Sequence, residues 1–183
     1  GYCPTSLRLP VVVSVPPYIV GLGSTSGDTY TATVRNNSTI TVPNLSLLVT
    51  PNAGFYFIGN SATGTSSAFG ATTLSQPASN LAPTEPATLI LAGGAPTTSL
   101  PPGGIFTATF LLGTTEQAKS GQPLSVTAQS GAAPALACSV GRVNVPTSRG
   151  NLLFDKYPNL VYAKVGEVVT FTLSVRNSGL ASL

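Results

Sequence analysis

A chain of 183 residues has room for one domain of ordinary size plus a remainder. Only 7% of it is charged, against about 25% in a typical soluble domain, and the net charge is +3. It contains no His, which excludes a Ser-His-Asp triad, a Cys-His pair and an imidazole metal site, and five acidic residues leave little for a calcium cage or a carboxylate dyad. The composition points away from an enzyme: no catalytic residue, no metal site and no cofactor is expected.

The chain opens on Gly1 rather than Met, so a processed or partial product is expected. Cys3 follows, and Cys138 is the other cysteine. Their spacing is not that of a CxxC motif, and there is no His to complete a zinc set. Two readings stay open. One is a disulfide tying the first strand to the last strand of one domain, worth about 4–5 kcal/mol by the chain-entropy model. The other is a pair of buried free thiols.

Strands are expected where short apolar alternation is bounded by Gly, Pro and Asn. The first spans Leu9–Val15, and its run Val11-Val12-Val13 is far too short to span a bilayer. In Thr29–Arg35, Tyr30, Ala32 and Val34 share one face. Leu45–Thr50 and Phe55–Ile58 follow. Alternation sets Tyr56 opposite Phe55 and Phe57, as an ordinary outward Tyr of a core strand or as a platform on which a sugar could stack. Residues 59–86, rich in Ser, Thr, Ala and Gly, read as a long surface loop with one short strand near Thr72–Leu74. Thr88–Leu91 and Ile105–Leu112 come next, with Phe106, Ala108 and Phe110 on one face of the latter. Thr114–Lys119 could form a single helical turn. Leu124–Ala128 and Ala137–Val143 complete eight strands. Gly93, Gly94, Gly103, Gly104 and Gly113 read as turns, since no Gly-Lys-Ser/Thr follows them. Faces of this kind call for a second sheet to pack against, hence an all-β fold, an Ig-like β-sandwich.

Three Asn-x-Ser/Thr sequons, at Asn36, Asn37 and Asn44, cluster at one turn. They read either as glycosylation sites or as turn chemistry, because Asn leaves a strand into a turn readily. The eight Lys and Arg residues are dispersed, with Arg8, Arg35, Lys119 and Arg142 far apart, so no nucleic-acid surface is expected.

The most informative feature is a repeat. Gly27-Asp28-Thr29-Tyr30-Thr31-Ala32-Thr33-Val34-Arg35-Asn36 returns as Gly166-Glu167-Val168-Val169-Thr170-Phe171-Thr172-Leu173-Ser174-Val175-Arg176-Asn177. Thr29 aligns with Thr170, Val34 with Val175, Arg35 with Arg176 and Asn36 with Asn177, and Pro17 with Pro158, all at an offset of 141 residues (170 − 29); since Asn177-Ser178-Gly179 is no sequon, the match reads Asn36 as structural first. A period as long as a domain indicates modules strung in series. Residues 1–147 are expected to form the sandwich. Residues 148–183 then form a linker, Pro146–Gly150, and the opening strands of a second, incomplete repeat. Phe154, Leu160, Val161, Val169, Phe171, Leu173 and Val175 would need partners to bury their side chains. Either the natural chain continues, or segments 152–162 and 168–176 are donated to another subunit.

The Gly166–Gly179 block resembles the opening of the DUF-eleven repeat, an Ig-like domain present in many copies in bacterial and archaeal surface proteins. Leu100-Pro101-Pro102-Gly103-Gly104 ahead of Ile105–Leu112 is similar to that family's late Leu-Pro-x-Gly turn and strand. The first unit departs from the pattern: Gly21–Ser26 lengthens one turn, and Asn37 stands where the family has Gly. The resemblance implies sandwich modules of stalks, surface layers, adhesins or extracellular fibres, and no catalytic residue. The expected function is therefore that of an extracellular or cell-surface structural protein whose partners are copies of itself or neighbouring repeats. The alternative is an adhesin-like module binding cell-surface glycans or a host surface through residues 59–86.

Overall fold

The computed structural model describes residues 9–16, 25–118, 122–130, 136–145, 152–158 and 162–177, with backbone alone over 136–145 and at 122, 152 and 177. Every named element is a strand: β1 Val11–Ser14, β2 Asp28–Arg35, β3 Leu45–Thr50, β4 Phe55–Phe57, β5 Thr63–Ser66, β6 Gly70–Ser75, β7 Ala87–Ala92, β8 Ile105–Thr114, β9 Gln122–Ser130, β10 Leu136–Val145, β11 Leu152–Tyr157 and β12 Thr172–Asn177. All eight strands expected from sequence are present.

The alternation that made these segments strands also sorts their side chains. Tyr30, Ala32 and Val34 of β2 are fully buried, as are Phe106, Ala108, Phe110 and Leu112 of β8. β2 and β8 pair antiparallel from Asp28↔Leu112 to Arg35↔Ile105. On its other side β8 pairs β5 (Ser66↔Phe106 to Thr63↔Thr109) and then β4 (Phe57↔Leu112 to Phe55↔Thr114), end to end. β1 pairs β2 on the outside, with Val11 opposite Val34. These strands form one layer. The other is β7-β3-β9-β10, and it contributes Leu45, Leu47, Val49, Leu89, Leu91, Leu124 and Val126 to the core. β6 joins the layers, pairing β5 on one side and β7 on the other. Phe110 lies at the aromatic centre, its ring 6.0 Å from Tyr30 and 6.1 Å from Phe57. Burying such side chains against a facing sheet supplies the main stabilisation, about 1.5–3 kcal/mol for each fully buried large residue.

Two expectations need refining. Residues 59–86 hold the short strand expected near Thr72–Leu74, which is β6, but they are not otherwise a loop excursion. They contain the β5–β6 hairpin, which is a structural part of both layers. β5 has no apolar alternation because its inward positions are Gly64 and Ser66, and they are small for a steric reason. A Cβ at Gly64 would lie 2.9 Å from the Phe106 ring. The rest of the segment is tied down against β4. The Leu81 and Thr84 amides donate to the Phe57 and Phe55 carbonyls, and Gln76 exchanges two hydrogen bonds with the Ala62 backbone. At Thr114–Lys119 the expected single turn is present through Ala118, as a tight turn rather than a helix: Thr114 ends β8 and the Ala118 amide closes onto the Thr115 carbonyl, while Lys119 lies outside the described residues.

β11 and β12 form a separate two-stranded sheet. Strand order and direction repeat those of β1 and β2, but the register slides. Val11↔Val34 would predict Leu152↔Val175, whereas the observed pairs are Leu152↔Asn177 and Phe154↔Val175. A slide of two residues keeps every side chain on its own face. Phe154, Leu173 and Val175 are exposed, at 74%, 73% and 57%, with Phe171 just before β12 and the Lys156 ammonium 4.5 Å from its ring. The strands are shorter than the expected donated segments. Val169 lies outside them, while Leu160 and Val161 fall outside the described residues.

Candidate interaction surfaces

β2 ends at Arg35, and Asn36 follows it, where the sequence clusters its sequons. The Asn36 side chain is fully buried. Its amide donates to the carbonyls of Ile40 and Leu100, each at 2.8 Å, and its carbonyl oxygen accepts from the amide and hydroxyl of Ser38. Its backbone pairs with Gly104 and Gly103. One side chain thus fastens the β2–β3 turn to the Leu100–Gly104 turn, and the positive φ of Gly103 (74°) shapes that second turn. Both amide hydrogens are committed, so Asn36 serves the fold, as its match to Asn177 suggested; a transferase acting on the folded chain cannot reach it. Asn37 and Asn44 are exposed at the same end, and Asn44 adopts φ 48°, a conformation Asn tolerates better than most residues.

Strand directions bring three described connections to this end: 36–44, 67–69 and 93–104. Two apolar side chains sit exposed here, Ile40 on the first connection and Phe69 on the second. Sequence reading passed over both, because an isolated apolar residue in a polar turn carries no periodic signal. The opposite end carries 76–86, part of the segment 59–86 expected to bind; it is anchored by hydrogen bonds to residues 55–62, while most of its residues stay exposed.

The centre of the first layer's outer face is a hydroxyl surface, with the exposed Arg35 and Val12 at its margin. Register places Thr33, Thr107 and Thr65 in one row and Thr31, Thr109 and Thr63 in the next. The Thr31 and Thr109 hydroxyls are 3.5 Å apart. Cross-strand threonine pairs of this kind stabilise a sheet by a few tenths of a kcal/mol each. The rows could not be read from sequence, because the third strand is β5. Tyr56 is the outward Tyr of its strand, and its ring lies over Gly113, where a Cβ would come within 2.3 Å of it. It shields a glycine in the sheet, an arrangement known to support register.

Among the described residues, Tyr30 has a proton affinity shifted by its surroundings. Burial, and then the charge of Asp28, raise its phenol well above the usual range, and its hydroxyl is buried without a hydrogen-bond partner. Among the described residues, no group of three or more His, Cys, Asp or Glu side chains could hold a metal ion, and no helix is long and apolar enough to cross a membrane. Cys3 and the Cys138 side chain, and with them the disulfide expectation, lie outside the described residues, as does the Pro146–Gly150 linker.

No family model matches the chain, and no curated protein matches it. Solved structures give distant likenesses. A protein titled as catalysing macrocyclization in alchivemycin A biosynthesis, AvmM, is 12% identical with a TM-score of 0.41, over 81% of this chain and 92% of that one. The collagen-binding domain of a Staphylococcus aureus adhesin is 6% identical with a TM-score of 0.43, over 74% and 96%. The pilus backbone protein RrgB of Streptococcus pneumoniae is 12% identical with a TM-score of 0.36, over 96% and 47%. The all-β sandwich therefore rests on the strand pairing of this chain itself.

Proposed function

We propose that the chain is a non-catalytic structural protein of a cell surface or extracellular filament, built from Ig-like modules and joined to its neighbours through the β11–β12 hairpin. One observation carries this reading. The hairpin repeats the first two strands of the sandwich, yet its apolar face, Phe154, Phe171, Leu173 and Val175, is exposed. An isolated two-stranded ribbon is marginal in water, and contact with another β-unit would bury that face. The near-absence of charge and the resemblance to surface-protein repeats favour the same setting. The test is imaging by electron microscopy together with sedimentation, on the native chain and on L173D, whose site is too exposed to disturb the sandwich. Regular assemblies that vanish in the variant support the reading; a native chain that stays monomeric at high concentration refutes it.

A second reading is an adhesin-like binding module. It is favoured by the exposed Ile40 and Phe69 at one end and by the adjoining threonine face. It expects a soluble monomer whose affinity for a glycan or host surface falls with I40D or F69D and is indifferent to L173D.

A further inference from the structure

We propose that β11–β12 of one copy docks against β8 of the next copy in the place held by β1–β2, so that copies join head to tail, each lending this hairpin to the next. This rests on the assembly reading above and names its receptor. The first hairpin shows what covers such a face. Tyr30, Ala32 and Val34 are fully buried, and β2 is paired along its length by β8. At the offset of 141 residues, Phe171, Leu173 and Val175 stand for those three, Thr172 and Ser174 for Thr31 and Thr33, and Asn177 for Asn36. The match thus extends to the residue that fastens β2 to Leu100.

Three features favour displacement of β1–β2 over the addition of a further strand. β1 and β10, the two ends of the strand path, come within 8 Å of one another, whereas a strand between them needs about 9.6 Å. β1 is only four residues long and exposes Val12 at 64%, so it is the more weakly held strand of its hairpin, although Val11 and Val13 pack against the core and Leu9 ahead of it is fully buried. And Tyr30 buries an unpartnered hydroxyl, while Phe171 brings the same ring without one. One position opposes the exchange: Leu173 would enter the site of Ala32, beside Ala108, where extra volume must be accommodated.

That opposing position gives the decisive sign. If Leu173 overfills the Ala32 site, L173A tightens association by roughly tenfold; if Leu173 is only part of a sticky face, L173A weakens it. Geometry supplies the second readout. Thr172 would take the place of Thr31, whose hydroxyl lies 3.5 Å from that of Thr109. Chains carrying T172C alone are mixed with chains carrying T109C alone, oxidised, and digested for mass spectrometry. The expected results are a 172–109 linked peptide and tighter sedimentation of L173A. Assembly that persists without that link, and that L173A weakens, overturns the exchange and leaves the assembly reading standing, with hairpins meeting face to face. Absence of assembly in every variant overturns both. If T109C does not fold, the L173A result alone decides.

Discussion

Replacing Asn36 isolates the joint between the two turns. In Asn36→Ala four hydrogen bonds disappear. The loss is not four times one bond, because two of the acceptors keep other donors: Val42 N–H still reaches the Leu100 carbonyl, and the Ser38 hydroxyl still reaches the Ile40 carbonyl. Those two cost about 0.5 kcal/mol each, at the lower end for a neutral hydrogen bond. The buried Ser38 amide is left without its acceptor, which costs about 1–3 kcal/mol. The sum is about 3 kcal/mol, equivalent to roughly 9 °C in Tm for a unit of this size. Asn36→Asp keeps the shape but turns an acceptor oxygen toward two carbonyl oxygens and buries a carboxylate, so at pH 7 it should cost more than Asn36→Ala. In the fold that carboxyl is held above its usual range near 3.9, so its penalty is absent below that value and grows as pH rises past it. The assay is urea unfolding at pH 4 and pH 7. A loss below about 1 kcal/mol for Asn36→Ala, or an Asp variant less stable at pH 4 than at pH 7 relative to the native chain, would refute the reasoning.

Gly54 has φ 83°, and a Cβ there would lie 2.3 Å from the Ala118 backbone, whereas Gly70 has φ 72° with open space around it. Gly54→Ala should therefore cost about 3 kcal/mol and Gly70→Ala about 1 kcal/mol, measured as the shift of the urea midpoint at constant slope. Tyr30→Phe removes an unpartnered buried hydroxyl, so it should be neutral or stabilise by up to about 1 kcal/mol. The raised phenol keeps its contribution below pH about 10 and loses it as pH climbs, so the alkaline fall in stability should be shallower in the variant. Equal alkaline limbs for the two chains would remove Tyr30 as its source.

The sequence by itself determined the strands that carry side-chain alternation. Tyr30, Ala32 and Val34, or Phe106, Ala108 and Phe110, can be buried together only on one face of a strand, and each such segment is a strand in the structure. The repeat likewise marked Asn36 as structural before its bonds were seen. Only the tertiary structure decided the role of residues 59–86, because β5 is placed by what it leaves room for. Gly64 and Ser66 are buried small residues over the Phe106 ring, and a strand chosen for its lack of bulk leaves no hydrophobic period to read. The threonine rows, the end that gathers Asn37, Asn44, Ile40 and Phe69, and the anchoring of 76–86 to residues 55–62 depend on contacts between segments distant in sequence. Local pattern fixes which face a side chain takes, whereas which strands become neighbours is settled by packing across the whole core.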